Sequence, residues 1–170
     1  MNAYTMLQTL LAIPERKDAL FPPLDDEGNS LLLAGLADAI HLHADPEDAQ
    51  GRFFVLYMPL LSLRGADGET ERRFLWRLAG ENMAGALPPG YALFGSVDDL
   101  SICLGGQFPV EGLEISALEI LTDEFLRLGR ALRERLLRGL EEDAARAAAT
   151  IAPNAPGMSQ KSANAQWLQV

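Results

Sequence analysis

Residues 52–63 read RFFVLYMPLLSL, with an uninterrupted apolar run from Phe53 to Leu61 that includes Pro59. Such a run suits a buried helix, a membrane segment or a strand. It is too short to cross a bilayer, which takes about 20 apolar residues in a helix. Its Phe, Val and Tyr content favours a strand, and Pro59 puts an edge, a bulge or a strand end inside it. With a strand at this position, the flanking sequence sorts into elements on both sides.

On the N-terminal side, SLLLAGLADAIHLHAD carries two short apolar runs, Leu31 to Ala34 and Ala39 to Ala44, which suit a hairpin. The cluster Asp25-Asp26-Glu27-Gly28-Asn29 before them has turn chemistry, and Pro22-Pro23 stiffens the connection. A first helix, Tyr4 to Ile13, has Leu7, Leu10 and Leu11 at helical spacing and stops before Pro14. On the C-terminal side, Gly65-Ala66-Asp67-Gly68 turns into a helix from Glu69 to Ala84, and Leu87-Pro88-Pro89-Gly90 ends it. Strands at Tyr91–Phe94 and Leu100–Leu104 then flank the turn Gly95 to Asp99. A last helix starts near Ser116, where Ser116 and Glu119 have capping-box spacing, and carries the stripe Leu118, Leu121, Phe125, Leu128, Leu132, Leu136, Leu140.

The expected class is therefore α+β: helix, three strands, helix, two strands, helix, with an antiparallel twisted sheet flanked by helices. Residues 1–150 form one domain, and 151–170, low in apolar content and ending Trp167-Leu168-Gln169-Val170, form a flexible tail. In the helix Glu69–Ala84 the apolar residues Phe74, Leu75, Trp76, Leu78, Ala79 and Met83 wrap more than half the surface. A helix of that breadth buries two faces, one on its own sheet and one on a partner, for which a second copy is the economical choice.

Charge narrows the class of partner. The net charge is −10. Residues 1–125 hold 20 acids and 7 bases, a net of −13, and residues 126–170 hold 4 acids and 7 bases, a net of +3. An acidic body repels nucleic acid and anionic membranes and favours basic or neutral polypeptides. The positive charges of the N-terminal stretch follow its apolar part, the reverse of a secretory signal, so a cytoplasmic protein is expected.

Chemistry is hard to assemble from what remains. Asp98 and Asp99 in a turn are both solvated, and as strand neighbours they would face opposite ways, so they read as a turn. His41, His43 and Asp45 form H-x-H-x-D, which on a strand puts three ligand types on one side, but no other histidine exists to complete a zinc site. Cys103 lies in an apolar strand with no Lys or Arg nearby in sequence, the setting of an inert thiol. No phosphate loop and no G-x-S-x-G occur, and Lys17 and Lys161 are the only lysines. The reading is a non-enzyme without cofactor or metal, with its function in apolar surface.

The element order, with LDDEGNSLLLAG, RFFVLYMPLLSL, RRFLWRLAGENMAG leading into PPGYALFGSVDDLSICLGGQFPVEGL, and EISALEILTDEFLRLGRAL, resembles the Tir chaperone (CesT-like) family, the class I chaperones of bacterial type III secretion. The resemblance spans roughly residues 4–138. It implies a cytoplasmic bacterial homodimer that holds the N-terminal chaperone-binding segment of a secreted effector in extended form, partly by strand addition. It also implies function without ATP, with presentation to the secretion ATPase. By position it makes Phe74, Leu75, Leu78 and Met83 dimer-interface residues, and Leu7, Leu10, Leu11, Leu31, Leu33, Phe54 and Leu56 effector-binding residues. A regulatory protein-binding domain of the same fold, unconnected with secretion, is the alternative.

Overall fold

The structure, a computed structural model, describes residues 2–12, 21–35, 38–85, 87–96 and 101–151, with side chains beyond 142 described only for residue 145. The Asp98–Asp99 turn, Ile13 and the tail after residue 151 lie outside the described residues. Three helices, α1 (Ala3–Leu11), α2 (Gly68–Met83) and α3 (Ile115–Ile151), accompany strands β1 (Asn29–Leu33), β2 (Ala39–His43), β3 (Phe53–Ser62), β4 (Tyr91–Ser96) and β5 (Ser101–Pro109). The strands form one sheet in the order β1-β2-β3-β5-β4, every neighbouring pair antiparallel. The α+β class and the element order expected from the sequence are both present.

β3 is the central strand and shows why the opening stretch is decisive. Phe54, Leu56, Met58 and Leu60 are buried, while the residues between them are partly exposed, the period-two pattern of a sheet with one packed face. The packed face lies against the first half of α3. A Cβ on Gly129 would stand 2.5 Å from the Met58 sulfur, so the helix approaches β3 as closely as only glycine permits. Pro59 sits at a bulge: the register to β5 shifts between Pro59 and Leu61, and β2 pairs only with Val55–Tyr57, stopping short of the residue that lacks an N–H.

Two of the boundaries that differ from the sequence expectation have a clear physical reason. β5 runs on through Gly105, Gly106, Gln107 and Phe108 to Pro109, where propensity alone ends it at Leu104. The glycines make room for rings: a Cβ on Gly105 would meet Phe94 at 2.5 Å, and one on Gly106 would meet Phe108 at 2.6 Å. Phe108 in turn packs with Phe54, Tyr91 and Phe125, so aromatic packing replaces what the missing side chains would supply. Burial beside these rings raises the Tyr91 hydroxyl pKa above its ordinary value, with Glu124 adding to the shift. The second difference is the start of α3. Its first helical bond runs from the Leu118 N–H to the Glu114 carbonyl, so Ser116 lies within the first turn and does not cap it.

The chain divides into two compact units after Arg130. The first unit holds α1, the sheet, α2 and the start of α3; its turn between β1 and β2 is tied to α3 by an Asp38–Arg130 ion pair of 2.8 Å. The second, as far as it is described, is the remaining length of α3, in which Leu132, Leu136 and Leu140 continue the apolar spacing.

Candidate protein-binding surface

β1 and β4 are the edges of the sheet. In an antiparallel ladder, residues alternate between bonding their neighbour and pointing their amides outward. The bonds Ala34 N–H to Asp38 O and Ala44 N–H to Gly28 O fix this alternation for β1. Asn29, Leu31 and Leu33 therefore turn their N–H and C=O groups to the outer edge. Asn29 is already occupied: its N–H donates to the Asp25 carboxylate at 2.7 Å, and its C=O accepts from the Asp25 N–H at 2.9 Å. Among the described residues nothing occupies the outward groups of Leu31 and Leu33.

The side chains of Leu31 and Leu33 are 41% and 70% exposed. They lie on the sheet face away from the core, opposite His41 and Ala39 respectively. His41 stacks flat on Tyr57, with ring centroids 4.4 Å apart, and Tyr57 faces Gly105 on the next strand. His43 Nδ1 lies 2.9 Å from the Asn29 side-chain oxygen. By alternation this face carries Asn29, Leu31 and Leu33 from β1, Ala39, His41 and His43 from β2, Val55, Tyr57 and Pro59 from β3, Cys103, Gly105 and Gln107 from β5, and Ala92 and Phe94 from β4. No Asp, Glu, Lys or Arg is among them, although charged residues make up 22% of the chain.

The other edge is built differently. The Asn82 side chain of α2 accepts from the Leu93 N–H at 2.9 Å and donates to the Leu93 C=O at 2.8 Å. One amide side chain thereby satisfies the outward groups at the middle of β4, and the Tyr91 N–H donates to the Pro88 carbonyl. α2 itself starts at an N-cap, Asp67, whose carboxylate accepts from the Thr70 N–H. That bond holds the Asp67 pKa below its ordinary value, and hydrogen bonds from Arg73 and Arg72 do the same for Glu69.

The residues singled out in the sequence separate into two environments. Leu7, Leu11, Phe54 and Leu56 are buried within this chain and hold its core, Leu10 is partly exposed, and Leu31 and Leu33 are on the surface. In α2, Phe74 is buried within this chain and Leu78 is partly exposed, while Leu75, Trp76 and Met83 are 51%, 75% and 87% exposed. Trp76 belongs to that outer stripe; its signal was the width of the apolar arc. The edge closures by Asn82 and Asp25 carried no sequence signal, because each works on a strand edge rather than within a pattern. Cys103 is buried and bonds the Ser101 hydroxyl at 3.3 Å. The Asp45 carboxylate accepts from the Glu47 N–H, and no three potential metal ligands converge among the described residues. No described helix is long and apolar enough to cross a membrane.

No family model matches the sequence, and no curated protein matches it. Solved structures do. A chain in the crystal structure of the ExsC–ExsE complex is 16% identical, with a TM-score of 0.59 over 80% of this chain and 97% of that one. A chain of the HopA1–SchA chaperone–effector complex is 19% identical, with a TM-score of 0.51 over 76% and 91%. The Yersinia pestis type III secretion chaperone SycH, in complex with a stable fragment of YscM2, gives 15%, a TM-score of 0.46, and 76% and 98%. This chain shares its fold with the matched chains of the ExsC–ExsE and HopA1–SchA complexes.

Proposed function

We propose that this protein is a type III secretion chaperone that binds an extended segment of an effector, as a homodimer and without nucleotide. The observation that carries the reading is the β1 edge. Two outward-facing backbone amides and carbonyls, at Leu31 and Leu33, sit beside exposed leucines and a sheet face without formal charge. An incoming strand would complete the ladder there, with alternate side chains falling beside Leu31 and Leu33. Likeness to a chain of a chaperone–effector complex supports the same use. The buried side chains of Leu7, Leu11, Phe54 and Leu56 would support the binding face from beneath, and Leu10 would meet the partner at its rim.

Hydrogen exchange tests the edge. When the protein is co-expressed with an effector encoded beside it and purified as a complex, the Leu31 and Leu33 amides are expected to slow by at least about tenfold. A stable complex in which these amides exchange as fast as in the free protein would remove strand addition at β1.

The second surface is the outer stripe of α2, where Leu75, Trp76 and Met83 leave apolar area uncovered. A second copy covers it, with Leu78 at the margin and Phe74 anchoring the helix to its own sheet. Trp76→Asp places a charge in that contact and is expected to yield monomer by light scattering, with the circular dichroism spectrum unchanged. A dimer that survives this substitution would put the interface elsewhere.

A further inference from the structure

The β1 edge is chemically asymmetric along its length. Residues 21–51 contain seven acids and no Lys or Arg. One acid, Asp38, lies at the Leu33 end and is paired with Arg130. The other six, Asp25, Asp26, Glu27, Asp45, Glu47 and Asp48, belong to the two loops that meet at the Asn29 end. Those loops are joined there by the bond from the Ala44 N–H to the Gly28 carbonyl, and all six side chains are exposed. Among the described residues none of the six forms an ion pair. α1 packs beside both loops, through Ala3 N–H to Gly51 O and Tyr4 hydroxyl to Asp25 O, and brings no charged side chain in residues 2–12. The first base after them in sequence is Arg52.

Resting on the strand-docking reading of β1, we propose that the segment this edge selects is an apolar-x-apolar strand with Lys or Arg close to the end that meets Asn29. Two features set its form. Asp25 already fills the outward groups of Asn29, so the ladder available to a partner stops at Leu31. A partner strand must leave the edge there, and it leaves into carboxylates that form no ion pair among the described residues. The apolar pair comes from the other feature: Leu31 and Leu33 present their side chains on a face without formal charge, where a charged residue of the partner would be desolvated with no counterion. The edge thus rejects charge along its middle and attracts positive charge at one end, which fixes register as well as partner chemistry.

Selection of a phage-displayed library of random dodecapeptides on the full-length protein tests this directly. Enriched peptides are expected to carry two apolar residues in alternate positions, with Lys or Arg within about three residues on one consistent side. They should lose binding to Leu33→Asp. Against a triple variant, Asp26→Asn, Glu27→Gln and Glu47→Gln, binding should weaken by about fivefold or more, and that difference should fade in about 0.5 M salt. Asp25 stays unchanged in that variant because it shapes the edge. Peptides that depend on Leu33 but carry no basic flank would overturn the charge inference alone. Peptides indifferent to Leu33→Asp, or a library with no enrichment, would overturn strand docking at β1 and the charge inference with it.

Discussion

The two edges of this sheet face the same physical problem and are given different answers. β4 is closed by a side chain from α2: Asn82 bonds the Leu93 N–H and C=O, as a neighbouring strand would. Among the described residues β1 is closed only at Asn29, by Asp25, and nothing occupies its other outward groups. An unpaired edge beside exposed leucines is a hazard for a soluble protein. Its retention on one side, and its removal on the other, is what the proposed function rests on. The difference lies in who closes the edge: a helix of the same chain at β4, and under the proposed function a guest at β1.

The contrast is broken most severely at Gly28. This residue has φ 81°, and a Cβ there would stand 1.9 Å from the Ala44 carbonyl oxygen. Gly28→Ala is expected to cost about 3 kcal/mol in urea unfolding, because left-handed strain adds to a backbone clash that no rotamer relieves. It should also free Asp25 from Asn29; a cost under about 1 kcal/mol would mean that the loop yields and the closure is loose. Next comes the opposite edge. Asn82→Ala leaves a part-buried amide and carbonyl of Leu93 without partners, with an expected loss of about 2 kcal/mol and faster exchange of the Leu93 amide. No change in either measurement would make β4 as open as β1.

The smallest effect sharpens the comparison through α2, the helix that carries Asn82. The pKa values of Asp67 and Glu69 are lowered in the fold by hydrogen bonds from Thr70 and from Arg73 and Arg72. A lowered pKa stabilises the folded state above the ordinary carboxylate range, and that contribution fades as pH falls through the folded value. The start of α2 should therefore be intact at neutral pH and fray below about pH 4, read from the Thr70 amide shift. Asp67→Asn should remove most of that pH dependence. An amide shift with the same titration in the variant would assign it to another group.

Much of this architecture is legible in the sequence, because it rests on local periodicity and turn chemistry. The period-two alternation of Phe54 to Leu60, the turn at Gly65–Gly68 and the stripe of α3 all act over a few residues. β5 exceeds its sequence reading because Gly105 and Gly106 look like breakers until Phe94 and Phe108 are seen over them. The proposed binding surface was half visible: Leu31 and Leu33 stand out as apolar, but so do Phe54 and Leu56, and only the fold shows which are covered. The closures by Asp25 and Asn82 were invisible. An LDDEGN segment has turn chemistry whether or not it also caps a strand, and Asn82 reaches a residue eleven positions away.

Under the proposed function, Asp25 also bears on how long a guest stays. By filling Asn29 it leaves four backbone groups on β1, those of Leu31 and Leu33. At about 0.5–1.5 kcal/mol net per hydrogen bond, four bonds contribute roughly 2–6 kcal/mol, within or below the cost of immobilising a partner. Such an edge grips a chain only in concert with other contacts, and each contact lets go cheaply when the chain is drawn from one end. A short ladder is a peelable one, and under the proposed function a carrier working without nucleotide would be well served by a seam that opens one bond at a time.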